Sequence, residues 1–369
     1  MIKLSCPSID NDEVKAVSDV LKGLNIAEGE RTREFEDRIR KHAQRRYAVA
    51  VSSGTSALRI ALLACGLRPG DKVILTPFAC DAVLNVILDL GCEPVFCDVD
   101  EDTFNLSPES LMEINTKTAK AIVCVHTFGF PCDMDRIRKV TGDMIFIEDA
   151  AQAVGSNYKG RPVGSFGDVS FFSLYATKLL TTGEGGILLT DDENVYRRAR
   201  YLKRPGLPTS YLLRHPGQKN EIFQDIIPLN CKMTDMQAAM GIVQLSKLEG
   251  FCKRRREIAS MYNEGLKDTG LKLSKAKNFG EHVYSRYTLT CRDEKERNRY
   301  VKHLIKNNIE IGILWSRPLH MSPLLVKSGY REGDFPVAEK LSRTVFSIPI
   351  HPNLTDKEAD FIIEKIREM

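Results

Sequence analysis

Ile145-Phe146-Ile147-Glu148-Asp149-Ala150-Ala151-Gln152 is the stretch whose reading decides the fold. An apolar run of β-formers reads as a strand covered on both faces, and it stops at two acids. Open α/β sheets bind ligands at that carboxyl edge. A helix-capping aspartate is the plainer reading of Asp149 on these residues alone. Outward from this stretch, short apolar runs recur at 48–51, 72–75, 93–97, 121–125, 144–147, 169–172 and 186–189. Amphipathic stretches at 57–65, 82–90 and 134–140 separate several of them, and Ser107-Pro108-Glu109 is a helix start with a capping serine and a first-turn proline. Strands alternating with helices predict an α/β fold, a mainly parallel sheet between helices.

The pattern changes near residue 234. Residues 234–263 read as one long helix or two abutting ones, and the Lys253-Arg254-Arg255-Arg256 run on it is expected to face solvent. Strand-like runs at 284–291 and 345–348 and helical ones at 297–308 and 356–367 then form a smaller α+β unit. The expected division is a large domain with an N-terminal arm over 1–240 and a small C-terminal domain over 241–369. No repeat or low-complexity linker interrupts the chain, so the two are expected to pack tightly.

Bulk properties exclude several classes. A net charge of +4 over 369 residues is too small and too scattered for a nucleic-acid binder. Ten cysteines include no C-x-x-C pair, so neither a zinc site nor a redox pair is supported and reduced thiols are expected. The opening residues lack the basic region and apolar core of a signal peptide, and no run approaches the ~20 apolar residues that span a bilayer. A cytoplasmic protein follows as the expectation. The absence of G-x-G-x-x-G after an early strand counts against a nicotinamide-dependent oxidoreductase.

Two further segments carry chemistry. Ser52-Ser53-Gly54-Thr55-Ser56-Ala57-Leu58 follows a strand and opens a helix, where free N–H groups and the helix dipole favour a phosphate. A plain capped turn is the alternative. In Ser170-Phe171-Phe172-Ser173-Leu174-Tyr175-Ala176-Thr177-Lys178, followed by Leu179-Leu180-Thr181-Thr182-Gly183-Glu184-Gly185-Gly186, a lysine lies just past an apolar strand. Such a lysine suits carbonyl chemistry if its amine is desolvated or lies near other cations. A surface-loop lysine is the commoner fate.

The order S-G-T-S-A-L, I-E-D-A-A-Q-A, then S-F-x-x-T-K-x-x-T-T-G-E-G-G resembles the DegT/StrS-type nucleotide-sugar aminotransferases. These are fold-type I enzymes dependent on pyridoxal 5′-phosphate (PLP). Val125-His126-Thr127-Phe128-Gly129, Tyr158-Lys159-Gly160-Arg161-Pro162-Val163-Gly164, Thr234-Asp235-Met236-Gln237-Ala238-Ala239 and Arg317-Pro318-Leu319-His320 extend the resemblance over nearly the whole chain. It implies that Lys178 bonds the cofactor, that Asp149 faces the pyridine nitrogen, and that Gln152 lies near the ring hydroxyl. It implies phosphate contacts from Gly54, Thr55, Ser56 and Ser173, and from Asn230 of a neighbouring subunit, hence a homodimer with shared active sites. The implied reaction moves an amino group, from glutamate, to a 3- or 4-keto-sugar nucleotide; a carbocyclic ketone is the variant acceptor. A PLP-dependent sugar dehydratase, which carries histidine in place of the lysine, and a noncatalytic PLP-binding regulator are the alternatives on this fold.

Departures from the family pattern fall on the substrate side. Cys80 stands where an aromatic residue commonly stacks on the ring, and Lys232 stands where an arginine usually follows the asparagine. Lysine keeps the charge but loses the fork that grips a carboxylate. Lys203-Arg204-Pro205-Gly206 replaces the usual Arg-Asn-His-Gly. His126 is expected to be a satisfied structural histidine and Glu184 structural; His320 and Trp315 are candidates for the substrate wall, with core packing as the alternative for Trp315.

Overall fold

The computed structural model describes residues 1–205, 223, 225–274 and 276–369. All seven apolar runs become strands of one sheet: β1 (Tyr47–Val51), β2 (Lys72–Leu75), β3 (Glu93–Phe96), β4 (Ala119–Val125), β5 (Ile145–Asp149), β8 (Val169–Ser173) and β9 (Gly186–Thr190). Two short strands, β6 (Asn157–Tyr158) and β7 (Arg161–Pro162), form a hairpin extended by β10 (Gly280–Glu281). The large sheet has the order β1-β9-β8-β5-β4-β2-β3. Pairing is parallel from β3 through β2, β4 and β5 to β8, while β9 is antiparallel to both β8 and β1. The β8–β9 connection carries no helix, so the chain returns antiparallel rather than crossing over. Because β9 is antiparallel to both neighbours, β1 runs in the same direction as β8. The carboxyl ends of β1, β4, β5 and β8 therefore share one edge.

The helix Gly54–Ala64 buries Ala57, Leu58, Ile60 and Ala61 against one face of this sheet, with Val49, Val123 and Ile147 beneath. The other face packs Ala50, Phe172 and Leu189 against Phe35 and Ile39 of Glu30–His42. Helix starts follow their caps: Ser107 accepts from Ser110 N, and Thr234 with Gln237 forms a capping box.

Thr234 opens a single unbroken helix, Asp235–Gly265, rather than two. Its first half packs against Asn11–Lys22 and Glu30–His42, and its last turns bury Ile258, Ala259 and Tyr262 in a second core. That core also holds β11 (Tyr287–Thr290), β12 (Val345–Ile348) and Asp356–Arg367. The expected strand at 284–291 is shortened because Tyr284 has a φ of 48°, which no strand residue adopts. One expectation for the basic run is corrected. Arg255 is 2% exposed, and its Nη1 donates to the carbonyls of Tyr284 (3.1 Å) and Ile350 (2.7 Å). Among the described residues, no helix is long and apolar enough to cross a membrane.

Candidate active site

The shared carboxyl edge of the sheet gathers the chemistry. Past β1, Ser53 caps the helix Gly54–Ala64, its Oγ accepting from Ser56 N at 3.0 Å. That leaves the N–H groups of Gly54 and Thr55 without intrahelical acceptors, at the positive end of the helix. A Cβ on Gly54 would lie 2.7 Å from Ser173 Cβ and 2.9 Å from its Oγ, so only glycine lets the last residue of β8 close against this turn. The two segments form a cradle of N–H and hydroxyl donors sized for an anion.

Beside the cradle lies a cavity of about 320 Å³. Ser53, Gly54, Thr55, Cys80, Asp149, Gln152, Ser173, Tyr175, Lys178 and Glu184 supply its polar lining, with Leu58, Val83, Val125 and Phe171 as apolar walls. Asp149, at the end of β5, is 5% exposed, and Oδ1 accepts one hydrogen bond, from Ala151 N at 3.0 Å. Burial pushes its carboxyl above the ordinary 3.8, against the Ala151 N–H and the charge of Lys178. Lys178 opens onto the cavity and makes no side-chain hydrogen bond among the described residues, although protein encloses its amine on most sides. Burial lowers its pKa from 10.5; Asp149 opposes that shift and the charge of Arg286 adds to it. A nearly dry amine and a nearly dry carboxylate thus share one cavity, each short of partners.

The residue next door shows the opposite arrangement. Glu148 is fully buried on the far side of β5, where Oε1 meets His126 Nε2 at 3.0 Å and Gly164 N at 2.6 Å. Its Oε2 accepts from Phe166 N at 2.9 Å and Gly167 N at 3.2 Å. Burial pushes the carboxyl up, but His126 and these N–H groups outweigh it and hold the group below 4.5. Cys132 N donates to His126 Nδ1, so the Nε2 proton faces Glu148 and the ring is fully satisfied. His126 N also donates to Asp149 O at 3.0 Å, which fixes the backbone beneath the cavity.

Not every sequence candidate reaches the cavity. Gly54, Thr55, Ser173, Asp149, Gln152 and Lys178 line it; Ser56 instead turns its Oγ to Ser53 (2.9 Å) and Ser52 (3.2 Å). Asn230 is exposed and accepts from Lys232 Nζ at 2.6 Å, apart from this chain's own lining. His320 is 2% exposed, with Nε2 at 3.1 Å from Glu339 Oε1, and Trp315 stacks on Phe128 at 5.1 Å. Both sit outside the cavity lining. Lys203 and Arg204 pair with Glu28, while Gly206 of that turn lies outside the described residues. Cys80 and Glu184 stand at the lining. Ser53 and Tyr175 were not singled out from sequence. Their signal was position alone, next to the glycine and three residues before the lysine.

Comparison with known proteins bears on this geometry. The DegT/DnrJ/EryC1/StrS aminotransferase family matches residues 7–367. The spore coat polysaccharide biosynthesis protein SpsC of Bacillus subtilis is 36% identical, with 99% of this chain and 96% of that protein covered. The GDP-perosamine synthase of Escherichia coli O157:H7 is 33% identical, with 98% and 96% covered. The PLP form of the putative sugar aminotransferase Spr1654 from Streptococcus pneumoniae superposes with a TM-score of 0.91 at 28% identity, covering 100% and 98% of the two chains. The residues present fit PLP: the Gly54–Ser173 cradle suits its phosphate, the dry Asp149 its ring nitrogen and the desolvated Lys178 its carbonyl. With the family match spanning nearly the whole chain, this fold-type I chain belongs to the DegT/DnrJ/EryC1/StrS aminotransferase family and is a PLP-dependent aminotransferase.

Proposed function

We propose that this enzyme moves an amino group from glutamate to a keto-sugar nucleotide, a 3- or 4-ketone, in amino-sugar biosynthesis, with Lys178 at the centre of the exchange. The observation that carries it is the placing of Lys178 and the buried Asp149 in one cavity, beside the Gly54–Ser173 cradle. The sugar acceptor is supported by the relatives' names. PLP, when bound, supplies a carbonyl that condenses with amines and a ring that withdraws electrons from the adjacent carbon.

The protein's own residues do the rest. Lys178 Nζ, its pKa lowered by burial, would hold the cofactor's carbonyl carbon and give it up to the incoming amine. Once free, Nζ would take the proton from the donor's α-carbon and deliver it two atoms away, to the carbon across the transferred nitrogen; with the ketone acceptor it would move the proton in the reverse direction. Asp149 would face the ring nitrogen, whose proton would supply the cation its surroundings lack. Gly54 N–H, Thr55 and Ser173 Oγ would bind the phosphate, with Ser56 fixing the turn, and Gln152 would serve the ring hydroxyl. Cys80, at the lining, stands in place of a stacking aromatic ring and would hold the cofactor ring more weakly.

Asn230 and Lys232 bond each other and are not part of their own cavity's lining, which fits a homodimer in which each serves the partner's site. Within each subunit, the large and small domains divide near residue 240, inside the helix Asp235–Gly265 rather than at a linker. A cytoplasmic location goes with this chemistry. The test is an absorbance spectrum before and after L-glutamate. A band from lysine-bound PLP that glutamate bleaches supports the proposal. No band after reconstitution with PLP, or a band indifferent to glutamate and other amino acids, overturns it.

A further inference from the structure

Among the described residues, Arg286 is a cation without an anion. It is half-buried, and its one side-chain hydrogen bond among the described residues runs from Nη1 to the carbonyl of Ser285 at 3.0 Å. No described carboxylate pairs with it. Arg286, Ser285 and Thr127 stand behind the cavity lining rather than in it: Ser285 N donates to Phe128 O at 3.0 Å, and Val283 N to Gly129 O at 3.1 Å, so this segment runs along the turn that leaves β4. At Gly129 the two are so close that a Cβ would lie 3.0 Å from both Ser285 N and the carbonyl of Gln152, a cavity residue. The charge of Arg286 reaches both Lys178 and the buried Arg255. Two guanidiniums and an ammonium thus gather where Asp149 is the only acid reaching Lys178. The same two segments hold two buried hydroxyls with no partner, Thr127 Oγ1 and Ser285 Oγ. Unpaired donors of this kind cost stability unless a ligand satisfies them.

We propose that Arg286 receives the α-carboxylate of the amino donor, with the Ser285 and Thr127 hydroxyls as the neighbouring unsatisfied donors. The inference rests on the amino-transfer reading above and deepens it. A 2-amino acid carries its carboxylate on the very carbon whose amine displaces Lys178, so its anchor must lie beside that lysine. A nucleotide's phosphates are separated from the ring ketone by several bonds and would need an anchor farther out. Lys232, lacking the fork of the arginine it replaces, leaves bidentate carboxylate binding to another residue, and a guanidinium free on most of its edge has that geometry.

The experiment is a spectral titration of PLP-loaded wild type, Arg286→Gln and Arg286→Lys with L-glutamate, alongside n-propylamine as a donor without a carboxylate. Calorimetric binding of glutarate, which reacts with none of them, gives a readout independent of turnover. Arg286→Gln is expected to keep the bound-cofactor band but to raise the glutamate Kd by about 30-fold or more, the size of one lost charge-assisted pair. Its preference for glutamate over propylamine should fall by a similar factor, glutarate binding should weaken in parallel, and Arg286→Lys should recover part of each. Wild-type glutamate and glutarate affinity in Arg286→Gln overturns the assignment, as does loss of the cofactor band in both variants. A wild type that forms the band but ignores glutamate instead overturns the amino-transfer reading itself.

Discussion

Lys203 and Lys178 both hold their amines against the protein interior, and their surroundings differ in every respect that matters. Lys203 is 0% exposed behind β1, where its Nζ sits 2.6 Å from Glu28, 2.9 Å from Glu36 and 3.1 Å from the Ala50 carbonyl. Lys178, past β8, makes no side-chain hydrogen bond among the described residues and has Asp149 as an uncoordinated neighbour. The first region is a closed charge cluster in which every donor is used. In the second, burial is left uncompensated on both the amine and the acid. Glu148 and Asp149 repeat the contrast one residue apart, four donors against one. Satisfied buried charge anchors the sheet; unsatisfied buried charge is stored for a ligand.

Substitutions break this comparison in opposite directions. Lys178→Ala is expected to lower amino-transfer turnover by about 10⁴-fold or more, since it removes both nucleophile and proton carrier. Thermal melting of the cofactor-free variant should show a midpoint equal to or above wild type, because an uncompensated amine is gone. Asp149→Asn should cost about 10³-fold in turnover and also raise the melting point of the cofactor-free protein. In steady-state kinetics the loss should fall on kcat. Measured in the cofactor-free state, a clear stability loss in both variants would place these groups in the structural class and remove the contrast.

Lys203→Met is the counterpart. It takes from Glu36 its closest cation and leaves Glu28 with Arg204 alone, and should destabilise the protein by about 3 kcal/mol in urea unfolding. Turnover per folded molecule should stay near the wild-type value. A smaller effect sharpens the same point through pH. Burial pushes the Glu28 carboxyl up, but the charges of Lys203 and Arg204 more than reverse this and hold it below 4.5. A carboxyl with a lowered folded pKa stabilises above its unfolded value and loses that gain as pH falls through the folded one. The melting-point gap between wild type and Lys203→Met should therefore narrow as pH drops below about 5. Asp149 has the raised sign, so it disfavours the cofactor-free fold as pH rises past 3.8, and Asp149→Asn should flatten that decline.

Much of the site was legible before any coordinates. Glycine at 54, acid at 149 and lysine at 178 each follow or end an apolar run, and strand direction does the rest. Ser56 reads like Thr55 in the sequence, yet the capping geometry of Ser53 turns it away from the cavity. His320 and Trp315 were substrate-wall candidates; the Glu339 contact takes His320 into the interior, and Trp315, half-buried, stacks on Phe128 outside the cavity lining. Arg286 carried no sequence signal, since an arginine beside a strand is ordinarily solvated.

By itself the sequence determined the seven strands, their helix caps and the order of the cofactor motifs, because periodicity, capping and turn chemistry act over a few residues. Only the tertiary structure decided which charges are inside and which of those are satisfied. Arg255 is buried because carbonyls 29 and 95 residues away accept from it, and Lys203 because Glu36, 167 residues earlier, meets it. Lys178 and Arg286 are left without such partners by the same packing. A buried charge takes its energy from groups that touch it in space, and those contacts are set by the whole fold rather than by neighbours in the chain.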